Sequence, residues 1–269
     1  MKMMVFKQVT AIIVFSFFSH SIFSFDLRVL CYHNVVKKTK HNIDVSSEEF
    51  EKQMNFLASN GYISLKASEL VQKIADNSFE ENKKYIVITF DDGNLGVYKN
   101  AFPILKKYNL KATLYIYPSI IMSREKGKHL SYMNWDEINM MLENPLIELG
   151  SHSYYHPYLT HESEKGLFIN IQKSKEILKK KTGISPLTFA YPFGIFDSKT
   201  KELLKKYKYT AGMTIIPESV FLKTDLYQIP RFMIYQFMVF SDFKKIVTGE
   251  DLKKIVKKYY KYDEQKTVY

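Results

Sequence analysis

The sequence predicts an α/β protein built on a parallel sheet, on three observations. Short runs of β-branched and aromatic residues alternate with stretches of helical periodicity from Leu27 to beyond Tyr209. Several of those runs end abruptly in ionisable side chains, the pattern of a parallel sheet that gathers chemistry at its strand ends. The length of 269 residues, with 46% hydrophobic and 25% charged content, suits one large domain or two small ones, and α/β barrels reach this size as a single unit.

Leu27 to Asn34 reads as a first strand that ends at His33. Ser46 caps a helix, with Glu49 completing a capping box and Phe50, Met54 and Leu57 at helical spacing; Asn60-Gly61 stops it. Tyr62 to Leu65 is a short strand, and Ala67 to Ala75 a second helix with Leu70, Val71 and Ile74 inward. After a polar connection, the β-branched and aromatic run from Tyr85 to Phe90 reads as a buried strand. Leu95 to Tyr108 predicts a helix that Pro103 breaks or restarts. Lys111 to Tyr117 is the next strand, Ile120 to Ser131 a solvated loop, and Asn134 the cap of a helix reaching Leu142. A short strand follows from Ile147, then a long amphipathic helix from Glu164 to Lys181 with a lysine-rich solvated face. Leu187 to Tyr191 is a strand, Asp197 to Tyr207 a helix, Tyr209 to Thr214 a strand and Tyr227 to Phe232 a late strand. Two short basic helices, Asp242 to Val247 and Asp251 to Tyr260, close the chain. The reading divides the sequence into a leader over 1–24, one domain over 25–240 and a basic helical tail over 241–269, with no internal repeat.

Two strand ends carry the chemistry. Asp91-Asp92-Gly93 places two carboxylates and a glycine directly after the apolar run. Surface aspartates on a loop are the bland alternative. Carboxylates at the end of a buried strand need compensation, by a metal or a proton-transfer task. Ile147 to Gly150 leads into His152 and His156, four apart, which would bring two imidazoles together if the chain makes a helical turn there. Alone, such a pair among seven histidines is weak. Joined to the aspartates, two histidines and one aspartate make a three-ligand divalent site with an open position, and the second aspartate is left free as a base.

Three stretches, in order, resemble the motifs of the polysaccharide deacetylases, the NodB-homology family or carbohydrate esterase family 4. They are Thr89-Phe90-Asp91-Asp92-Gly93, His152-Ser153-Tyr154-Tyr155-His156-Pro157 and Ala190-Tyr191-Pro192-Phe193-Gly194, and the likeness extends from about Leu27 to Arg231. It implies a distorted (β/α) barrel in one domain. It also implies metal-dependent hydrolysis of N-acetyl groups on an amino sugar, with Asp92, His152 and His156 as metal ligands and Asp91 as base. A backbone N–H near Phe193 would hold the oxyanion. Tyr32-His33 is similar to an element of the circularly permuted subgroup acting on poly-β-1,6-N-acetylglucosamine. This implies that His33 is the acid, since no histidine follows His161; a buried structural histidine is the alternative. The arginine that usually precedes the third motif is missing, with Phe189 and Ala190 there. Arg231 is one candidate to replace it, an ordinary ion pair being the other reading. The ligand set accommodates zinc, cobalt, nickel or iron, with zinc expected.

Lys2 and Lys7 followed by the apolar run Val9 to Phe18 predict a secretory signal, with cleavage near Ser21 or Ser24 and an uncleaved anchor as the alternative. Cys31 follows Leu30, a poor context for lipidation, and a single cysteine makes no internal disulfide. The formal net charge of +11 suits an anionic envelope surface more than nucleic acid, for which no motif is present. Twenty Tyr and twenty Phe would suit a glycan binder, although a coding bias toward Lys, Ile, Phe, Tyr and Asn accounts for the bulk of them. The expected protein is an exported de-N-acetylase of a surface poly-N-acetylglucosamine. The alternatives are a deacetylase of peptidoglycan or an envelope glycolipid, and a non-catalytic glycan-binding protein on the same scaffold.

Overall fold

The computed structural model describes residues 26–260; the predicted leader lies outside them. Among the described residues no helix is long and apolar enough to cross a membrane. The chain opens with β1 (Arg28–Tyr32), β2 (Asn34–Val36), β3 (Asp44–Ser46), α1 (Ser47–Ser59), β4 (Tyr62–Leu65), α2 (Ala67–Ala75) and β5 (Lys84–Asp92). It continues through α3 (Phe102–Lys107), β6 (Ala112–Ile116), α4 (Pro118–Glu125), α5 (Trp135–Leu142) and β7 (Ile147–Ser151). The last third holds α6 (Glu164–Leu167), α7 (Ser174–Thr182), β8 (Thr188–Ala190), α8 (Ser198–Lys206), β9 (Ala211–Met213), β10 (Phe232–Met233), α9 (Phe240–Thr248) and α10 (Leu252–Tyr259).

The main sheet is parallel throughout, in the order β10-β1-β5-β6-β7-β8-β9, with β4 also paired to β5. A parallel bridge from Met213 to Ile229 links β9 to the segment entering β10. The sheet thus curls back toward its own first edge, as the distorted (β/α) barrel expectation requires. β2 and β3 form a separate parallel pair.

Side-chain alternation along β5 decides what faces the barrel interior. Ile86, Ile88 and Phe90 pack into the large core under the helices, whereas Tyr85 and Val87 belong to a second cluster with Val29, Tyr115, Ala190, Ala211 and Met213. Thr89 and Asp91 fall on this second face, so the period of two turns Asp91 inward. Gly150 in β7 leaves room for the buried Tyr115 ring: a Cβ there would lie 2.3 Å from two ring carbons. Helices α9 and α10 pack on the main core through Phe243, Ile246, Val247, Ile255 and Tyr259.

Three local expectations need correcting. Half of the predicted loop from Ile120 to Ser131 is helix α4: Pro118 supplies a favourable first helical turn and Ile121 buries itself completely. The late strand from Tyr227 to Phe232 is a 3₁₀ turn, Leu226–Gln228, and then the two-residue β10. The Asp225 side chain accepts the Tyr227 N–H, and Pro230 cannot donate to a ladder. The helix around Pro103 starts as a π-helical turn, Val97–Ala101, that passes into α3 with Pro103 in its first turn. The proline's missing N–H is tolerated there.

Candidate active site

Arg231 apart, the ionisable residues singled out as site residues converge on one cavity of about 310 Å³ at the C-terminal ends of the strands. It is lined by His33, Asp91, Asp92, His152, His156 and Phe193. Tyr191, Gly194, Ile43, Ile215 and Met233 complete the wall. Of these five, Tyr191 and Gly194 lie in a motif; the three aliphatic residues left no mark in the sequence, because apolar wall residues look like any core residue.

Asp92, His152 and His156 form one cluster. Asp92 Oδ1 lies 3.6 Å from Nε2 of each imidazole, and the two Nε2 atoms are 3.1 Å apart. Three donors around one tetrahedral ion at zinc–ligand lengths would stand about 3.3 Å from one another. Asp92 Oδ1 is buried and, among the described residues, has no hydrogen-bond partner. An orphaned buried carboxylate oxygen is costly, and a cation between it and the two nitrogens removes that cost. The Nδ1 of His152 is 2.8 Å from the carbonyl of Ala190. A carbonyl only accepts, so Nδ1 carries the proton and Nε2 keeps its lone pair for a ligand. Burial, and next the neighbouring His152, push the His156 pKa down to about 4, which keeps its ring neutral and able to ligate. The residues therefore fit a divalent ion.

The histidines do not meet through a helical turn. From His152 to Pro157 the chain is irregular, with Ser153 at φ 64° and His156 at φ 61°. The Ser153 hydroxyl accepts the His156 N–H at 2.9 Å, and this small side-chain turn folds the second imidazole back over the first. Asp92 at φ 75° and Phe193 at φ 58° are also left-handed. Four non-glycine residues in a region that disfavours Cβ now share one site, a local cost held by the surrounding packing.

Asp91 faces the barrel interior beside the cluster. Arg231, fully buried, grips it with Nη1 to Oδ1 and Nη2 to Oδ2, both 2.7 Å. The guanidinium is itself aimed by the Thr214 carbonyl (2.8 Å) and the Thr89 hydroxyl (3.1 Å). Burial alone pushes the Asp91 pKa up. The Arg231 charge, and after it His152, outweigh burial and hold the carboxyl well below the ordinary range. Cys31 Sγ lies 3.5 Å from Asp91 Oδ2, and burial raises its thiol pKa. Cys31 was not singled out as a site neighbour by the sequence; its place one strand over from Asp91 follows from the β1–β5 register.

His33, just after β1, is partly buried; its Nδ1 is enclosed without a partner among the described residues. A ring nitrogen of His33, Cys31 Sγ and an Asp91 oxygen all lie within 4.8 Å of one another. The Phe193 ring meets the His156 ring edge-on (4.6 Å) and stacks on Tyr158 (4.2 Å between centroids).

Comparison with known proteins gives a consistent result. A family model described as polysaccharide deacetylase matches residues 79–212. The putative polysaccharide deacetylase YxkH of Bacillus subtilis is 26% identical over 205 residues, covering 76% of this chain and 70% of that protein. A poly-β-1,6-N-acetyl-D-glucosamine N-deacetylase of Staphylococcus aureus is 28% identical over 201 residues, covering 72% and 68%. Among solved structures, the polysaccharide deacetylase BC0361 of Bacillus cereus superposes with a TM-score of 0.72 at 27% identity, over 84% of this chain and 70% of its own. IcaB of Ammonifex degensii gives 0.66 at 23% identity, over 83% and 96%, a likeness of fold.

Proposed function

The chain belongs to the polysaccharide deacetylase family, and from that premise we propose that it is exported and removes acetyl groups from a surface poly-β-1,6-N-acetylglucosamine. The observation that carries the reading is the orphaned Asp92 oxygen, buried 3.6 Å from two imidazole nitrogens. Asp92, His152 and His156 would hold a divalent cation, zinc by the chemistry of the donor set. Bound there, such a cation would supply an acidified water and a polarised amide carbonyl.

The chain's own groups supply the rest. Asp91 takes the proton from the attacking water. The two-point contact with Arg231 keeps Asp91 in its carboxylate form, ready to accept that proton. Arg231 fills the role of the arginine missing from the third motif: its two-point grip fixes the carboxylate in one orientation. The N–H of Phe193, on a left-handed turn at the cavity wall, stabilises the charge that develops on the carbonyl oxygen. His33 gives a proton to the leaving nitrogen as the carbon–nitrogen bond breaks, releasing acetate and a free amino sugar. The cavity of about 310 Å³ admits one N-acetyl sugar at a time. Similarity to the Staphylococcus aureus enzyme supports the β-1,6 linkage. The apolar run after Lys7 supports export, and the excess of lysine supports work at an anionic envelope surface; no nucleic-acid motif accompanies that charge.

Acetate release from β-1,6-linked N-acetylglucosamine oligomers is the direct test. Release should stop on chelation, return with zinc, and fall about 10²- to 10⁴-fold in His33→Ala. Faster release from β-1,4-linked oligomers would move the assignment to peptidoglycan-type substrates. No release from either, with metal bound, would leave a glycan-binding protein.

A further inference from the structure

A second cavity, of about 410 Å³, adjoins the first and shares Asp92 and Ile43 with it. Its walls carry Lys38, Lys40 and His41 on one side and Asn94, Ser131 and Tyr132 on the other. The basic wall is a fixed one. Asp44 beneath it accepts the N–H groups of Lys40 (2.7 Å) and His41 (2.9 Å), and Asn34 Nδ2 (3.1 Å). Gln236 ties the same loop down through Thr39 (2.6 Å) and the Asn42 carbonyl (2.8 Å). Two carboxylates share this cavity with the lysines: Asp44, engaged by three neutral donors, and Asp92, whose charge a cation bound in the first cavity would offset, while Lys38 and Lys40 line it from the anchored loop.

We infer that this second cavity takes the sugar next to the reacting one and selects against a neighbour that has already lost its acetyl group. The inference rests on the deacetylase reading and adds a rule of order to it. Each turnover converts a neutral N-acetyl group into an amine that is an ammonium ion at neutral pH. An acetylated neighbour brings no charge into the cavity and can use the amide and hydroxyl donors of Asn94, Ser131 and Tyr132. A deacetylated neighbour brings a cation against Lys38 and Lys40. The enzyme therefore leaves glucosamines spaced along the polymer and does not strip it in contiguous runs.

The test uses three trimers of β-1,6-N-acetylglucosamine: one fully acetylated, and two carrying a single glucosamine on either side of the central unit. Acetate release from the central unit should be about three- to tenfold slower, as kcat/KM at low salt, for one of the two mixed trimers, and the gap should narrow as salt screens the charges. Lys38→Glu/Lys40→Glu should abolish or invert the preference; Lys179→Glu/Lys180→Glu, on helix α7, should leave it intact. Equal rates for all three trimers, or a preference that the Lys38/Lys40 pair does not alter, would overturn the inference. Binding of the same trimers to metal-loaded His33→Gln protein gives a second readout. If the fully acetylated trimer is never cleaved, the deacetylase reading fails, and the binding order still decides whether this cavity discriminates by charge.

Discussion

Arg231 and Asp91 form a completely buried ion pair with two 2.7 Å contacts, and its removal one partner at a time should be expensive. Arg231→Met leaves an uncompensated carboxylate in the barrel and should lower stability by about 3–5 kcal/mol in urea unfolding. Asp91→Asn added to it should recover part of the loss; a loss below about 1 kcal/mol for the single variant would mean that the pair is solvated. His156 gives a pH signature in the metal-free protein. Its folded pKa of about 4 lies below its ordinary 6.5, so between these values the unfolded chain binds the proton and the folded one does not. Stability is therefore full above pH 6.5 and is lost as pH falls toward 4, by on the order of 3 kcal/mol. His156→Gln should flatten the profile across that interval, and an unchanged slope would assign it to other groups.

At the scale of elements, the site is made by what happens directly after β5, β7 and β8. Each strand delivers its chain into a left-handed residue, Asp92, Ser153 or Phe193, and each kink aims one functional group at the same point. Glycine would adopt these angles without strain; Asp92 is there for its carboxylate and Ser153 for the hydroxyl that accepts the His156 N–H. The sheet beneath must be rigid to hold them, and Gly150 is where it is tightest. Gly150→Ala places a methyl group 2.3 Å from the ring of Tyr115. That ring is fully buried, with its hydroxyl 3.0 Å from Thr188. The substitution should cost about 1–3 kcal/mol, measured as a lower unfolding midpoint. A neutral effect would show that β6 and β7 can part without loss.

Over the whole molecule, the cluster of Asp92, His152 and His156 brings the ends of β5 and β7 together, so a cation held there would link binding to folding. Zinc at a hundred times its dissociation constant should add about 2.7 kcal/mol to stability and raise Tm by roughly 5–10 °C. Asp92→Ala should abolish that rise without lowering the metal-free Tm, because it deletes a buried oxygen that has no partner. A metal-free Asp92→Ala protein that melts well below the parent would mean that Asp92 supports the fold in some other way.

The sequence by itself determined the parallel α/β layering, most of the helices and strands, and the ionisable groups that line the cavity, but not its apolar wall of Ile43, Ile215 and Met233. Hydrophobic period and caps are local signals, and Asp91-Asp92, His152 and His156 stand at strand ends whose register follows from that period. Tertiary structure decided what local signals cannot carry. The pairing of Arg231 with Asp91 spans 140 residues and depends on β10 and β5 flanking the same strand. The Ser153 turn, and not a helix, joins the two histidines. The basic wall of the second cavity exists because Gln236 and Asp44 anchor the loop that bears it. Each of these is a contact between segments distant in the chain, and it becomes visible only when the sheet has curled and brought them together.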